Sequence, residues 1–366
     1  MEEKMPRNRN SSIELLRIIS MFLIVLSHFS VHGVIEKNLN FSFNSIYLSC
    51  ITLGNLGVDI FILISGYYYD SKTNFKKILQ IVLITIFYSV ILYIFSIFVN
   101  VNEFSIKGLI KASMPILFNN YWFVTAYVLI MLFTPILKIV INNLNRQVFK
   151  YLMGLSIILY GIIPLIFKVV VNGEIYYSNK LIELIIVYFI GAYLAKYKDN
   201  IFSKNLNNTK KTLIINFIIL VLSAIVMNLI GIKIDMFKEH ASYFFARISP
   251  FVLMVATSIF VLISSKKSNN NILNYIGGLT FAVYLIHDNY NIREFLWKNI
   301  INVQNYIDKW YLIFYSILVS VIIFAVCCLI EATRKCVLKK IKECKVCQKI
   351  KFIDYANEKL KALIDE

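Results

Sequence analysis

The sequence predicts an all-α fold, a polytopic bundle of about ten transmembrane helices with both termini in the cytoplasm. Hydrophobic residues make up 58% of the 366 positions and charged residues 16%, whereas soluble domains carry about 25% charged residues. Apolar runs of about 20 residues, the length that crosses a bilayer, recur along almost the whole chain. We therefore expect an integral membrane protein.

Ten such runs divide the chain. They cover residues 13–33, 45–68, 78–100, 121–141, 150–170, 180–197, 212–232, 241–264, 272–290 and 310–331. We expect a cytoplasmic N-terminal tail (1–12), a transmembrane domain (13–331) and a basic cytoplasmic C-terminal tail (332–366). The first run is too long for the apolar part of a signal peptide, and the capping box of Ser11 and Glu14 opens a helix.

The distribution of basic residues supports this layout. With the N-terminus inside, 26 of the 38 Lys and Arg residues fall in inner segments, nine in outer loops and three within the spans. This excess is the positive-inside pattern, so the net charge of +17 reflects topology and predicts no nucleic-acid partner. All three Trp residues fall at or near the outer boundary, as interfacial anchors do: Trp122, Trp297 and Trp310.

The six cysteines give no strong metal signature. Cys344 and Cys347 form a lone C-x-x-C in the basic tail, with only Cys336 nearby as a third ligand, whereas structural zinc sites use four. A solvated, reduced tail helix is the favoured interpretation. The sequence also lacks G-x-x-x-x-G-K-[ST], G-x-G-x-x-G and G-x-S-x-G, which excludes the common ATPase, dinucleotide-binding and serine-hydrolase functions.

The first span carries two ionisable residues, Arg17 and His28, where charge is costly. Eleven helical residues rotate by about 1100°, about 20° beyond three turns, and rise by about 16 Å, so the two side chains share one face. Arg17 is expected one turn inside the cytoplasmic boundary, where it snorkels, pairs with Glu14 or serves function. His28 is expected in the outer half, either as a functional group or as a neutral histidine satisfied by a neighbouring helix.

Asp59 is expected near the bilayer centre in the second span, where a carboxylate needs a partner or a proton. Antiparallel packing against the first span would place it between the depths of Arg17 and His28, so it could neutralise one or orient the other.

His28, His32 and Glu36 follow an i, i+4, i+8 pattern that could suggest a metal site. Because Glu36 falls beyond the expected helix end, the two histidines lack a carboxylate ligand and we predict no metal.

Five further residues fall near the outer boundary, at the level of His28. They are His287, Tyr121, Trp122, Arg247 and Glu183. The interfacial belt accounts for Trp122, and snorkelling or a mutual ion pair accounts for Arg247 and Glu183. Taken together, the five also suit a polar pocket for a sugar. On the cytoplasmic side, Arg17 and the Lys76–Lys77 pair suit the phosphate groups of a donor.

Four stretches occur in a characteristic order. They are Arg-x10-His (Arg17, His28), GVDIFILISGY at 57–67, YWFVTAYVLIMLFTPIL at 121–137 and GGLTFAVYLIH at 277–287. Over roughly residues 10 to 335 the sequence thereby resembles membrane acyltransferase family 3, and within it the surface-polysaccharide O-acyltransferases. The first two stretches carry most of the specificity of this resemblance.

The resemblance implies transfer of an acyl group, usually acetyl, from cytosolic acyl-CoA to a hydroxyl of a cell-surface or lipid-linked polysaccharide. His28 then matches the catalytic base or acyl relay, and Arg17 the residue that orients the site or the CoA. Acetyl-CoA is the expected donor substrate, and no permanently bound cofactor is expected. Many members open the third span with Arg-x-x-Arg, whereas here Lys76 and Lys77 supply charge without a bidentate fork.

The predicted mechanism places the pantetheine arm of acyl-CoA in a groove lined by Arg17, Asp59 and His28. His28 either removes the proton of a sugar hydroxyl or takes the acyl group first as a covalent relay. His287 and Tyr121 are expected to position the acceptor. The sequence does not decide between the two forms of the mechanism.

Two other classes of protein would use the same residues. A transporter or flippase of lipid-linked saccharides would hold a pyrophosphate-sugar, although the sequence shows no repeated half of the kind many transporters have. A membrane sensor would use the basic tail 334–361 as its output.

The Asn-, Lys- and Ile-rich composition indicates an AT-rich bacterial genome and hence a bacterial plasma membrane. The sequence does not determine the oligomeric state.

Overall fold

The structure, a computed structural model, describes residues 10–34, 41–71, 75–171, 179–234 and 241–343. These residues are about 80% helical and include no strand, which confirms the all-α prediction. The helices are α1 Ser11–Gly33, α2 Phe43–Cys50, α3 Gly54–Tyr67, α4 Phe75–Phe98, α5 Ile106–Ser113, α6 Trp122–Asn143, α7 Arg146–Ile157, α8 Ile163–Val171, α9 Lys180–Lys196, α10 Ile201–Lys204, α11 Leu206–Lys233, α12 Pro250–Ser264, α13 Asn271–Gly277, α14 Thr280–His287 and α15 Leu312–Glu343. Glu36, the C-x-x-C pair of Cys344 and Cys347, and most of both predicted tails lie outside the described residues.

Seven segments of the described chain are long and apolar enough to cross a membrane. They are Ser11–Gly33, Phe43–Tyr67, Phe75–Phe98, Trp122–Asn143, Arg146–Phe167, Leu206–Lys233 and Leu312–Lys340. Each coincides with one of the ten predicted spans. The other three predicted spans contain shorter helices, α9 with 17 residues, α12 with 15, and the pair α13 and α14 with seven and eight. The count of ten therefore stays a prediction.

Three predicted spans differ from continuous helices. The second divides into α2 and α3, and the ninth into α13 and α14 at Gly278 and Leu279. The Lys335 side chain donates to the Gly278 carbonyl at 2.8 Å, which satisfies a backbone group that the helix end leaves unpaired. In the eighth, α12 begins only at Pro250, because proline favours the first helical position. The last helix, α15, continues past the predicted end of the transmembrane domain at 331 to Glu343, and the predicted domain boundary stays a prediction.

Glycines of α3 pack closely against α1 and α9 and fix how these helices align. Gly54 lies against the Ser27 side chain and Gly57 against the backbone of Ser20, so α3 runs antiparallel to α1. Gly66 likewise lies against the backbone of α9. Small residues of this kind let membrane helices approach closely. The depth predicted for Asp59 follows from this register, because it lies half a turn beyond Gly57.

Contacts between helix termini define two ends of the bundle. We call the end with Ser11 and Lys138 the basic end, and the end with His28 and His287 the histidine end. At the basic end, Ser11 N donates to Ser268 O at 2.9 Å, and Lys138 pairs with Asp70 at 2.8 Å. At the histidine end, Asn55 Nδ2 donates to the carbonyl of Phe245 at 3.0 Å. The predicted orientation of these ends relative to the membrane stays a prediction.

Exposed ion pairs lie at both ends. At the basic end, Arg146 Nη1 donates to Asp199 Oδ2 at 2.7 Å, and this hydrogen bond lowers the pKa of the Asp199 carboxyl. At the histidine end, Lys298 Nζ donates to Glu294 Oε2 at 3.0 Å and lowers the pKa of that carboxyl. Large apolar side chains are exposed along the flanks of the outer helices, for example on α15 at Leu318. Charged ends and apolar flanks are what a bilayer requires of a bundle.

Candidate active site

Two helices end side by side at the histidine end and bring three imidazoles and one carboxylate together. His28 and His32 occupy the last turns of α1, while His287 is the last residue of α14 and Asp288 follows it. The His28 ring centroid lies 4.6 Å from that of His32 and 5.0 Å from that of His287. We call these four residues the histidine cluster. His28 and His287, which the sequence places at a similar depth, are in direct contact, and their outer position stays a prediction.

The hydrogen bonds of His287 determine which nitrogen of His28 can act as a base. His287 Nδ1 lies 2.5 Å from the Val283 carbonyl oxygen, which only accepts, so Nδ1 carries the proton. In the neutral ring, Nε2 of His287 then holds a lone pair and faces His28 Nδ1 at 3.0 Å. His28 Nδ1 must therefore donate, and the lone pair of His28 lies on Nε2.

Asp288 supplies the negative charge of the cluster. Its Oδ1 lies 3.3 Å from His32 Nε2, 3.8 Å from His28 Nδ1 and 3.7 Å from Nη1 of Arg293. The carboxylate is buried, and Oδ1 has no hydrogen-bond partner among the residues that the structure describes. The negative ends of the α1 and α14 dipoles meet at the same place. Asp288 and the two helix ends therefore offset part of the cost of placing a positive charge on the His28 imidazole in these apolar surroundings.

Tyr121 holds the end of α14 in place. Its hydroxyl donates to the Leu285 carbonyl at 3.0 Å and accepts from Asn289 Nδ2 at 2.5 Å, and its side chain is almost fully buried. The acceptor contact predicted for Tyr121 stays a prediction. In this structure its hydroxyl is already hydrogen-bonded to the backbone carbonyl of Leu285, two residues before His287.

Arg247, Glu183 and Trp122 form a separate group at the same end. Arg247 Nη1 lies 2.9 Å from Glu183 Oε2, and the guanidinium lies over the Trp122 ring, 4.6 Å from its centroid. Of the alternatives left open by the sequence, the mutual ion pair is the one observed. Their predicted contact with an acceptor stays a prediction.

Asp59 contacts neither of the two residues between which it was expected. It is fully buried, and neither carboxylate oxygen has a hydrogen-bond partner within the described chain. The charges that act on it most strongly are those of Arg247 and Glu183. Its predicted depth in the bilayer stays a prediction, and the charges near it belong to the Arg247 group rather than to α1.

Arg17 lies at the basic end and pairs with Glu14, with Nη1 2.5 Å from Oε1. Its side chain is 29% exposed. On the face that joins Arg17 to His28, Met21 and Ile24 are buried and fill the place of the predicted groove. The groove is thus closed in this conformation by packed side chains.

Lys76 and Lys77 lie in the first turn of α4, and both are exposed. The other end of α4 leads to Asn102, whose side chain donates to the Asn291 carbonyl at the histidine end. The two lysines are therefore at the basic end, where the sequence places the donor phosphates.

Sequence reasoning missed the carboxylate of the cluster and its arginine. Asp288 and Arg293 follow the ninth span, and only the end of α14 beside α1 brings them to His28 and His32. The available signal was the dipeptide of His287 and Asp288 at the end of an apolar run.

The structure is thus an all-helical bundle in which the His28–His287 pair leaves one nitrogen lone pair available. A model of acyltransferase family 3, described as an acyltransferase domain, matches residues 10–332. The chain belongs to this family and is a membrane acyltransferase, which confirms the resemblance carried by the four sequence stretches. Neither the comparison with curated proteins nor that with solved structures gave a match.

Proposed function

We propose that the protein is a membrane O-acetyltransferase that moves an acetyl group from cytosolic acetyl-CoA to a hydroxyl of a cell-surface or lipid-linked polysaccharide. The observation that carries this proposal is the His28–His287 pair, because it leaves the lone pair of His28 on Nε2. Family membership supplies the general activity, and the histidine cluster supplies a base for attack by a hydroxyl. The pairing of Arg247 with Glu183 beside Trp122 offers polar and aromatic surface for a sugar.

The proposed topology has ten membrane passages, with the basic end and both chain termini in the cytoplasm of a bacterial cell. The positive-inside distribution of basic residues supports this orientation. Residues 13–331 would then form the acyltransferase domain. His28 would lie about 16 Å outward from Arg17 along α1, so donor and acceptor would approach the cluster from opposite sides.

In the proposed reaction, His28 Nε2 takes the proton of the acceptor hydroxyl while its oxygen attacks the thioester carbonyl. A C–O bond forms, the C–S bond breaks, and the CoA thiolate leaves and is protonated by the imidazolium of His28. Asp288 and the two helix C-termini stabilise that imidazolium. A covalent relay through an acyl-imidazole would use the same nitrogen.

Donor binding in this proposal uses the basic end. Arg17, Lys76 and Lys77 would meet the phosphates of CoA, the lysines as point charges. A pantetheine arm that follows the face of α1 has to displace Met21 and Ile24, which are buried. The proposal therefore includes a movement of α1 against α3 on donor binding.

The experiment uses the purified full chain in nanodiscs with labelled acetyl-CoA and the cell-envelope glycan fraction of the source organism. We expect label to enter the glycan, with release of free CoA that depends on the glycan. A series of longer acyl-CoA donors then measures the chain-length preference. Loss of glycan export from cells without the protein, combined with no label transfer by the purified chain, would contradict the proposal and favour a transporter.

A further inference from the structure

We propose that His28, His32 and Asp288 form a binding site for a divalent transition-metal ion of the Zn²⁺ type. The sequence pattern lacked a carboxylate beside the two histidines, because Glu36 falls beyond α1. The fold supplies one from a distant part of the chain, since Asp288 follows α14 and lies against the last turns of α1.

The ligand atoms have the separation that a metal needs. One ligand atom from each of the three residues lies within 4.8 Å of the others. His32 Nε2 and His28 Nδ1 are 3.3 and 3.8 Å from Asp288 Oδ1. A tetrahedral zinc ion with bonds of about 2.1 Å holds its ligand atoms about 3.4 Å apart, so only small side-chain movements would close the site. A metal ion on His28 Nδ1 would replace the contact of that atom with His287 Nε2, now 3.0 Å long.

A second observation points to a cation. Asp288 Oδ1 is buried and makes no hydrogen bond of good geometry with a described residue; its nearest polar neighbour is His32 Nε2 at 3.3 Å, so a metal ion would complete its coordination. The C-terminal ends of α1 and α14 add negative potential at the same point. Arg293 Nη1, 3.7 Å from the same oxygen, opposes a metal ion, but its side chain is 35% exposed and can turn to water.

Metal binding and general-base catalysis exclude each other in this arrangement. A metal ion on Nδ1 of a neutral His28 leaves the proton on Nε2, which then has no lone pair for the acceptor hydroxyl. Zn²⁺ is therefore expected to inhibit acetyl transfer reversibly, a consequence that rests on the proposed function. Binding itself does not depend on that function.

The test uses full-length protein in nanodiscs, stripped of metal with EDTA and carrying Cys336→Ser, Cys344→Ser and Cys347→Ser so that the tail thiols cannot bind. Calorimetric titration with Zn²⁺ is expected to show one ion per chain. Titration with Co²⁺ is expected to give the visible absorption of a tetrahedral ion without sulfur charge-transfer bands. His32→Ala and Asp288→Asn are each expected to lower the affinity by more than about ten-fold. The control Glu294→Gln removes an exposed carboxylate that pairs with Lys298 and is expected to leave affinity unchanged.

The proposal is overturned if neither ion binds, or if His32→Ala and Asp288→Asn bind as tightly as the unmodified cluster. Acetyl transfer is measured in parallel. If Zn²⁺ inhibits transfer, EDTA reverses the inhibition, and His32→Ala is inhibited less, the result supports the inference that His28 cannot bind metal and act as the base at the same time. Binding to the cluster without any effect on transfer would keep the metal site but contradict His28 as the base, so the two failures are distinguishable.

Discussion

At the scale of single residues, His287 decides which nitrogen of His28 carries a proton. Its Nδ1 is committed to the Val283 carbonyl, so its Nε2 can only accept from His28. The cluster thus contains one histidine for chemistry and one that orients it, in addition to His32 and Asp288. In this account His287 is a positioning residue.

Replacing His287 tests this division of roles. His287→Ala removes the acceptor of the His28 proton, and His287→Gln can restore it through the amide oxygen. Loss of a hydrogen bond worth about 1.5 kcal/mol corresponds to about a ten-fold lower turnover. Steady-state kinetics are expected to show the loss in kcat for His287→Ala, with KM for acetyl-CoA unchanged and partial recovery in His287→Gln. Equal activity of both variants with the unmodified enzyme would contradict a positioning role.

Tyr121→Phe tests the support behind the cluster. The change leaves the Leu285 carbonyl and the Asn289 amide without the hydroxyl that serves both, at a cost of about 1–3 kcal/mol. We expect a lower melting temperature in nanodiscs by thermal-shift assay. Tyr151→Phe is the matched control, since Tyr151 is 67% exposed, and an equal shift for both variants would count against the assignment.

The residues whose place could be predicted are those fixed by helical periodicity. Arg17 and His28 share one continuous helix, so their common face and their separation follow from its geometry alone. The partners of these residues could not be predicted in the same way. The contact of Asp288 with His32 depends on where α14 ends, and the orientation of Asp59 depends on how α3 is rotated against its neighbours.

At the scale of elements, two glycines of α3 pack directly against the backbones of neighbouring helices. A Cβ on Gly57 would overlap the backbone of Ser20 in α1, and one on Gly66 would overlap the backbone of Tyr188 in α9. Relieving either overlap would require a whole helix to move, because the overlapping atoms belong to the backbone rather than to a flexible side chain. The α1–α3 contact is also the one that must move for pantetheine to pass Met21 and Ile24.

Gly57→Ala is therefore expected to lower both the thermal stability and the acetyl-transfer rate, with a cost of about 1–3 kcal/mol for overpacking. Gly154→Ala in α7 is the matched control, because a Cβ added at Gly154 would meet no other atom within 4 Å. Alanine there is expected to be neutral or to stabilise by about 0.5–1 kcal/mol. Melting temperatures of the two variants in nanodiscs check this, and tolerance of Gly57→Ala equal to that of Gly154→Ala would contradict the packing account.

At the scale of the whole molecule, the bundle separates a basic end from a histidine end. The apolar runs predicted the seven long membrane-crossing segments well, because length and hydropathy determine them. The interruptions in the second, eighth and ninth predicted spans were missed, since tertiary contacts rather than composition satisfy the backbone there. The interruption in the ninth span affects the proposed site, because it determines where α14 ends and therefore where His287 and Asp288 lie.

The orientation predicts opposite labelling of two exposed positions in intact cells. In a chain with all six cysteines replaced, Asn299→Cys lies at the histidine end and Lys267→Cys at the basic end, and both positions are exposed. A membrane-impermeant maleimide is expected to label Asn299→Cys alone before lysis and both variants after it. Labelling of Lys267→Cys alone in intact cells would reverse the topology.

The central claim is that His28 performs the chemistry, and it is tested most directly by acetyl transfer from labelled acetyl-CoA to the glycan fraction with His28→Ala. Val31→Ala is the control, since Val31 is 55% exposed on the same helix, and all variants are compared at equal membrane abundance. General-base loss typically costs about 10²–10⁴-fold in rate, so we expect His28→Ala to be reduced by at least about 10²-fold and Val31→Ala to match the unmodified enzyme. Full activity of His28→Ala would contradict the mechanism.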